Sequence, residues 1–358
     1  MTTRQTTISI IGGGPAGLIA ALYLARLPDV RIVVYEKQTQ DAYTATPCAE
    51  GISARTLLKL ETDTGFCSTP FIVQSIAGIR VIFPNSTYCV YHEPGATLNR
   101  DTWQRALALY ATEQGIEIVY NARIQNIEDL DSDYIIGADG PASRVRAAMN
   151  QKVEMAPACQ YRMVLNRPVD YFEFYFHPMF HQSGRDRAGY GWVFPRDDVC
   201  NVGVKGTYRV LAHFLETFHI TGTIIEKSAA PIPINGSVFE NGRTFLIGDA
   251  GGMPNPLTFG GLSPIIHCAD YLFQAIGGQP GMYTRLIKNH HFYPPYWAQK
   301  RHLFYNHDLM NRLGTIYNQL SIYPPSFKLI SRTLRHPGLL LPNLRLVRHL
   351  RRIKRVSW

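Results

Sequence analysis

The feature that most constrains the fold is a glycine-rich turn near the start of the chain. The apolar run Ile8–Ile11 is followed by glycines at positions 12, 14 and 17. This GxGxxG spacing is typical of a turn that joins a strand to a helix and binds a dinucleotide. In such a turn Gly12 allows the tight bend, Gly14 lets the backbone approach a pyrophosphate, and Gly17 lets helix and strand pack closely.

The residues after this turn support the same prediction. Positions 18–23 have the apolar pattern of a helix, and Arg31–Tyr35 has that of a second strand, which ends at Glu36. The N-terminus of the helix offers free N–H groups and a positive dipole end to phosphates. The Glu36 carboxylate can accept hydrogen bonds from ribose hydroxyls. A turn without a ligand is the alternative, and the order strand, turn, helix, strand and acid argues against it.

Composition limits the remaining choices. A chain of 358 residues with 46% hydrophobic residues can build the cores of two packed domains. No apolar run reaches the roughly 20 residues of a membrane-spanning helix, and the polar start lacks the pattern of a signal peptide. The six cysteines are scattered without a CxxC pair, which favours the cytoplasm and argues against zinc or disulfides. The histidines at 290, 291, 302 and 307 lack ligand spacing, so we predict no metal site.

Positive charge is concentrated at the end of the chain. The net charge is +9, and residues 309–358 hold ten Lys and Arg side chains and no acidic one. Between residues 346 and 353 the apolar positions share one face of a predicted helix that arginines surround. Such a helix fits an anionic membrane surface, or it docks on the body of the protein with a solvated basic face. The predicted fold gives no support for nucleic acid as a partner.

The element pattern predicts an α/β fold in which a Rossmann-type domain is interleaved with a second sheet. Residues 76–83 and 87–91 resemble two strands joined by a turn, and 160–207 is rich in aromatic and β-branched residues, as in an antiparallel sheet. Helices dominate after the third glycine-rich turn. We therefore predict a cofactor-binding domain from residues 1–75, 95–150 and 240–280, an antiparallel substrate domain from 76–94 and 151–239, and a helical, basic C-terminal region from 281–358.

Two further turns follow buried strands, at Asp139-Gly140 and at Gly248-Asp249. Together with the first turn they resemble the three fingerprints of FAD proteins with the p-hydroxybenzoate hydroxylase fold. This resemblance implies FAD as the cofactor, with Asp249 at its ribityl-pyrophosphate region. It also implies that the start of a helix at Gly261 and Leu262 brings N–H groups near the flavin pyrimidine.

Arg100, at the start of a predicted helix over residues 100–114, matches the arginine with which that family contacts the cofactor. The alternative for Arg100 is an ordinary surface ion pair. The remaining predicted cofactor contacts are Ala16, Lys37, Ala122 and Asp139.

Two more motifs resemble one family of these flavoproteins, the geranylgeranyl reductases. Pro47–Ser53 resembles their Cys-Gly-Glu-Gly segment, with Ala49 in place of a glycine, and residues 190–195 resemble their Tyr-x-Trp-x-Phe-Pro motif. That family saturates double bonds of polyprenyl chains in lipids, chlorophyll side chains and quinones. The resemblance implies an isoprenoid or lipid substrate. Because no second nucleotide fingerprint is present, NAD(P)H or ferredoxin is expected only as a transient electron donor.

The second motif also predicts a substrate pocket. Tyr190, Trp192 and Phe194 alternate along a strand, so they share one face and are expected to line an apolar cavity. A hydride equivalent from the flavin must be matched by a proton and by exclusion of water.

Cys48 is the candidate catalytic residue, as a proton source near the flavin. The alternative is a small buried hydrophobe, which most free cysteines are. We favour backbone contacts of Cys48, Ala49 and Gly51 with the flavin over acid catalysis by the thiol. For Glu50, capping of the following helix is expected rather than a role as an acid.

Two other functions fit the same fold. The first is a flavin monooxygenase or halogenase, although halogenases carry Trp-x-Trp-x-Ile-Pro where this chain has Tyr190 and Phe194. The second is an electron-transfer flavoprotein that docks on a membrane partner through the basic tail. Such a protein would need no apolar pocket, whereas the aromatic sheet indicates one.

Overall fold

One mostly parallel sheet and one mostly antiparallel sheet form the two halves of the computed structural model, which describes residues 4–45, 47–180, 189–255, 258–290 and 306–322. The strands are β1 (Thr6–Ile11), β2 (Val30–Tyr35), β3 (Gly51–Ser53), β4 (Ile72–Ile76), β5 (Ile79–Ile82), β6 (Tyr88–Tyr91), β7 (Gly95–Leu98), β8 (Glu117–Val119), β9 (Tyr134–Gly137), β10 (Glu154–Leu165), β11 (Phe172–Tyr175), β12 (Gly191–Arg196), β13 (Val199–Lys205), β14 (Gly222–Ile234), β15 (Glu240–Asn241), β16 (Thr244–Leu246) and β17 (Leu320–Ile322). The α-helices are α1 (Pro15–Leu24), α2 (Ala54–Thr64), α3 (Arg100–Glu113), α4 (Arg144–Ala148), α5 (Tyr208–Thr217), α6 (Leu262–Ala275), α7 (Met282–Asn289) and α8 (His307–Tyr317).

The predicted dinucleotide unit lies in a six-stranded sheet of order β15-β16-β9-β1-β2-β8. β1 runs parallel to both β2 and β9, as the strand–turn–helix–strand pattern requires. α1 is buried along almost its whole length because its small residues let it pack against α6. Gly12 has φ +107°, and a Cβ at Gly17 would lie 1.9 Å from the Gly12 carbonyl oxygen, so both glycines are required by the backbone itself.

The second sheet has eight strands in the order β14-β10-β13-β12-β11-β5-β6-β17. Its pairs are antiparallel, as predicted, except that β5 runs parallel to β11 and β6 runs parallel to β17. Apart from β17, its strands come from the two segments that the sequence indicated. A three-stranded sheet, β3-β7-β4, lies beside these two.

The C-terminal region begins with the predicted helices, α7 and α8, but β17 is a strand. It pairs with the backbone of β6, and Gln319 N, just before the strand, donates to Tyr88 O at 2.7 Å. An edge strand offers unpaired N–H and C=O groups, so a short segment of any extended sequence can add to it. The basic helix predicted near residues 346–353 lies outside the described residues. None of the described helices is both long and apolar enough to cross a membrane.

The two faces of the eight-stranded sheet differ. One face packs Val193, Val202 and Val204 against Phe214 of α5. The other face carries an aromatic cluster, and it is directed toward the cofactor sheet. The members of this cluster are Phe172, Phe174, Tyr190, Trp192 and Phe194, and Ile76 of β4 packs with them.

Candidate active site

A cleft of about 300 Å³ lies between the glycine-rich turns and the aromatic cluster. Most of the residues predicted from the sequence to bind cofactor or substrate line it together. They are Gly14, Ala16, Cys48, Ala49, Gly51, Arg100, Tyr190, Trp192, Phe194, Asp249, Gly261 and Leu262. Gly12, Gly17, Glu36, Lys37, Ala122 and Asp139 are not part of this lining.

Glu36 orders the first turn. Its carboxylate is 5% exposed, and it accepts from Gly13 N and Gln38 N at 2.8 Å each. The Tyr43 hydroxyl donates to the Gly13 carbonyl from the other side, a contact that the sequence did not reveal. Gly13 is therefore fixed by two side chains, and contact of Glu36 with a ribose remains a prediction.

Two other predicted contacts, Lys37 and Ala122, lie next to Glu36, just after the end of β2. Ala122 N donates to the Glu36 carbonyl at 2.8 Å, whereas the Lys37 side chain is exposed. Both residues adjoin Glu36, which is the residue predicted to bind a ribose, and their own contact with a cofactor stays a prediction.

Arg146 joins the second and third turns. Its guanidinium donates to the carbonyls of Pro141 at 2.5 Å and Ala250 at 2.9 Å, and only 7% of the residue is exposed. Asp139 belongs to the same corner, where its Oδ2 accepts from Arg144 N at 2.6 Å. Arg146 was part of the second motif, but its link to the third turn, where Asp249 is 103 residues away, could not be inferred from that motif.

Asp249 lines the cleft, where protein atoms surround most of the residue and a part of its surface is exposed to solvent. Burial raises its pKa from 3.8 to about 6, and the nearby guanidinium groups of Arg100 and Arg146 only partly oppose this rise. A carboxyl group in this setting is suited to accept or donate hydrogen bonds to hydroxyl groups of a bound cofactor.

The polar groups around the cleft fit a polar ligand. Arg100 Nε and Trp192 Nε1 in the lining, and Asp139 Oδ1 next to the lining residue Gly140, are buried and lack a hydrogen-bond partner among the described residues. A Cβ added at Gly14 would meet no atom within 4 Å. The start of α6 has Gly261 as its N-cap without a side-chain cap in the described part of the chain. A dinucleotide such as FAD could bond to the unpaired polar groups and occupy the open space at Gly14, and the positive end of a helix dipole favours its phosphates.

The loop of residues 47–51 lines the cleft and packs against the aromatic cluster through Ala49 and Gly51. Gln160 Nε2 donates to the Cys48 carbonyl at 2.9 Å, and Asn201 Nδ2 donates to the Ala49 carbonyl at 3.1 Å. The Cys48 sulfur accepts from Glu50 N at 3.3 Å and from the Arg100 guanidinium at 3.7 Å. Because both contacts bring N–H groups to the sulfur, the thiol proton stays available for another acceptor.

The prediction that Glu50 caps the next helix is wrong. α2 begins after Ser53, whose Oγ accepts from Thr56 N at 3.2 Å. Glu50 instead turns toward the substrate sheet, where it pairs with Arg196 at 2.6 Å and with Arg162 at 3.5 Å. Its backbone is left-handed, with φ +67°.

Trp192 and Phe194 of the aromatic motif lie on one face of β12, and Tyr190, directly before the strand, belongs to the same cluster, as predicted. A Cβ at Gly51 would lie 2.9 Å from two ring carbons of Phe194, so the two family motifs meet at this contact. The Tyr190 hydroxyl donates to the Thr258 carbonyl, and its ring stacks on Phe259 with centroids 5.8 Å apart. The motif therefore forms an apolar wall with its one hydroxyl group already bonded.

No group of three or more His, Cys, Asp or Glu side chains that could hold a metal ion is found among the described residues.

Comparison with known folds defines the class of protein. A family model described as an NAD(P)-binding Rossmann-like domain matches residues 10–45. A geranylgeranyl bacteriochlorophyll reductase-like protein from Thermoplasma acidophilum has a similar structure, with a TM-score of 0.74, 20% identity, and coverage of 98% of this chain and 100% of that one. A mutant of the halogenase PltM in complex with FAD aligns with a TM-score of 0.56 and 14% identity over 88% of this chain and 77% of that one. The fold is that of FAD-dependent oxidoreductases.

Sequence comparison indicates one family within this class. The chain is 28% identical to digeranylgeranylglycerophospholipid reductase 1 of Methanococcoides burtonii, over 72% of this chain and 71% of that protein. It is 26% identical to the digeranylgeranylglycerophospholipid reductase of Methanococcus vannielii, over 88% of this chain and 87% of that protein. The resemblance to the geranylgeranyl reductase family of flavoproteins is thereby confirmed.

Proposed function

We propose that this protein is an FAD-dependent reductase that saturates double bonds of a geranylgeranyl or other polyprenyl chain carried by a lipid-like substrate. The observation that carries this proposal is a cleft whose one wall is the apolar face of Tyr190, Trp192 and Phe194 and whose other wall is the cofactor turn and the Cys48 loop. The names of the archaeal relatives support the same substrate class.

The residues that would hold FAD are the lining residues of the three glycine-rich turns, together with Arg100. Gly14 and Ala16 at the first turn, Asp249 in the floor, and Gly261 and Leu262 at the start of α6 all line the cleft. Arg100 would contribute its unpartnered Nε. These groups orient the cofactor and complement its phosphates and its polar ring edge.

Reduction of an isolated alkene requires a hydride at one carbon and a proton at the next, and bound, reduced FAD supplies the hydride. The protein must hold the alkene in place, exclude water and provide the proton. The aromatic wall performs the first two tasks. Cys48 is the proposed proton source, because its sulfur accepts from two N–H groups and its own proton is free to leave toward the cleft.

Electrons for each cycle must come from outside the chain, and we propose NAD(P)H or ferredoxin as a transient donor.

The basic residues after Asp308 are proposed to bring the protein to an anionic membrane surface, where a lipid substrate resides. Removal of residues 340–358 should abolish sedimentation with anionic vesicles and leave FAD bound. Unchanged sedimentation would exclude this role for the tail.

The function is tested by an anaerobic single turnover. The FAD-loaded protein is photoreduced and mixed with a geranylgeranylated glycerophospholipid, and the oxidised-flavin band and the product mass are recorded. A reductase returns the band and yields product heavier by pairs of hydrogens. The Trp192→Ala variant should keep its flavin spectrum and lose turnover. A flavin that stays reduced until oxygen enters would refute the proposal for that substrate and favour a monooxygenase.

A further inference from the structure

In the loop of residues 47–51, which lines the cleft, three consecutive carbonyl groups are hydrogen-bonded to neighbouring strands. The ties to Cys48 O and Ala49 O come from side chains of β10 and β13, and the Glu50 carbonyl accepts from Leu98 N at 3.0 Å. Three consecutive peptide groups are thus fixed from three different elements. A loop that only connected two elements would not need this.

The Glu50 side chain anchors the centre of this loop. Its Oε2 accepts from Arg196 Nε at 2.6 Å and from Asn201 Nδ2 at 3.1 Å, and its Oε1 lies 3.5 Å from an Arg162 nitrogen. Only 8% of Glu50 is exposed. Breaking a buried ion pair of this kind is costly, because removing one partner leaves the charge of the other uncompensated.

The backbone of Glu50 adds a second, independent observation. Its φ of +67° is in the left-handed region, where a glycine would be favoured over any other residue except Asn or Asp. A non-glycine residue in such a conformation costs free energy, which persists where the surroundings over-determine it. Since the backbone alone would favour glycine here, we expect the contacts of the glutamate side chain to offset the cost of this conformation.

We infer that Glu50 is a positioning residue, which binds the cofactor-facing loop to the substrate sheet through Arg196 and thereby fixes the distance between Cys48 and the aromatic wall. The inference rests on the proposed function for its catalytic consequence, but the anchoring itself is a property of the protein alone. Because Arg196 directly follows the Tyr190–Pro195 motif, the same strand carries both the wall and the anchor.

The decisive variants are Glu50→Gly and Arg196→Gln. Glycine suits the left-handed backbone better than glutamate, so a loss in Glu50→Gly cannot come from backbone strain. Arg196→Gln removes the anchor from the sheet side and leaves the sequence of the loop intact. The matched control is Glu226→Gln, which removes the exposed carboxylate on the other side of Arg162, 3.0 Å away and 54% exposed.

Three readouts are taken on the FAD-loaded protein: the visible flavin spectrum, the rate of iodoacetamide modification of Cys48 by peptide mass spectrometry, and the anaerobic single-turnover rate at saturating lipid. We expect both anchor variants to show a changed flavin spectrum, several-fold faster modification of Cys48, and turnover reduced by about 10- to 100-fold, as expected for a misplacement of about 1 Å. The control should match the wild type in all three.

The inference is overturned if both anchor variants keep the wild-type spectrum and Cys48 reactivity, or if the control shows the same changes as they do. If Glu50→Gly does not fold, Arg196→Gln decides. If the wild type fails to reduce the lipid, the proposed function fails, whereas the spectrum and the Cys48 modification rate still decide whether Glu50 anchors the loop.

Discussion

Replacement of Gly14 and of Gly17 by alanine should separate a glycine that binds the cofactor from one that builds the fold. Gly14 has φ −68° and ψ −179°, which any residue adopts, and its added Cβ would meet nothing within 4 Å. Alanine should therefore leave the apoprotein as stable as before, or stabilise it by about 0.4–1 kcal/mol by restricting the unfolded chain. The new methyl group would occupy the space that the pyrophosphate must approach.

The magnitude of the binding loss follows from the contacts at stake. Displacing one phosphate oxygen from a backbone N–H forfeits a charge-assisted hydrogen bond of about 1.5–3 kcal/mol. This corresponds to a FAD affinity roughly 10- to 150-fold weaker. At Gly17 the added Cβ would lie 1.9 Å from the Gly12 carbonyl oxygen. Neither backbone can yield, so the apoprotein should lose at least the roughly 1–3 kcal/mol of an overpacked core.

The assay is urea unfolding of both apoproteins, followed by FAD titration monitored by flavin fluorescence. The expected pattern is a stable Gly14→Ala variant that binds FAD weakly and a Gly17→Ala variant that is destabilised before any cofactor is added. Wild-type FAD affinity in Gly14→Ala would refute the approach of a pyrophosphate to this turn. Equal destabilisation of both apoproteins would refute the different roles assigned to the two glycines.

Two further predictions concern the cleft. The Gly51→Ala variant should lose about 1–3 kcal/mol of unfolding free energy, because its Cβ would lie 2.9 Å from ring carbons of Phe194. Urea unfolding measures this loss. A double variant, Gly51→Ala with Phe194→Leu, that recovers none of the lost stability would contradict the contact. For Asp249, the pKa is about 6 in the folded protein and 3.8 as the ordinary value, so the folded apoprotein binds this proton more tightly. Its stability should fall as pH rises from about 4 to 6, by at most about 3 kcal/mol; the Asp249→Asn variant should lack this fall, and identical pH profiles of the two proteins would show that burial of Asp249 does not raise its pKa.

The sequence predicted the parts of the site that are local. The turn at Gly12–Gly17 needs only residues adjacent in the chain, so its role could be inferred from spacing. The same holds for the alternation of Tyr190, Trp192 and Phe194, because a strand places every second side chain on one face. The structure places Gly14 and Ala16 of the turn in the lining of the cleft and brings the three aromatic side chains into one cluster, whereas their contacts with cofactor and substrate stay predictions.

What could not be predicted depends on pairing between distant strands. Gln160 and Asn201 reach the Cys48 loop only because β10 and β13 are neighbours in register, with Gln160 opposite Gly203. No local pattern marks either residue, since a single polar side chain in a strand is as compatible with a solvent-facing position. The prediction for Glu50 failed for the same reason. A glutamate four residues before the first residue of a helix fits a capping role locally, whereas its actual partner, Arg196, is 146 residues away.

The failed prediction bears on how the two domains act together. If Glu50 had been a helix cap, the Cys48 loop would belong to the cofactor domain alone, and the aromatic wall could shift relative to it. The ion pair with Arg196 instead attaches the loop to the substrate sheet as well as to the cofactor domain. The apolar contact of Gly51 with the Phe194 ring links the loop to the same strand. A hydride and a proton must reach adjacent carbons of one alkene, so the two walls must keep a fixed separation. The polar anchor and the apolar contact, two positions apart in the strand, together provide that constraint.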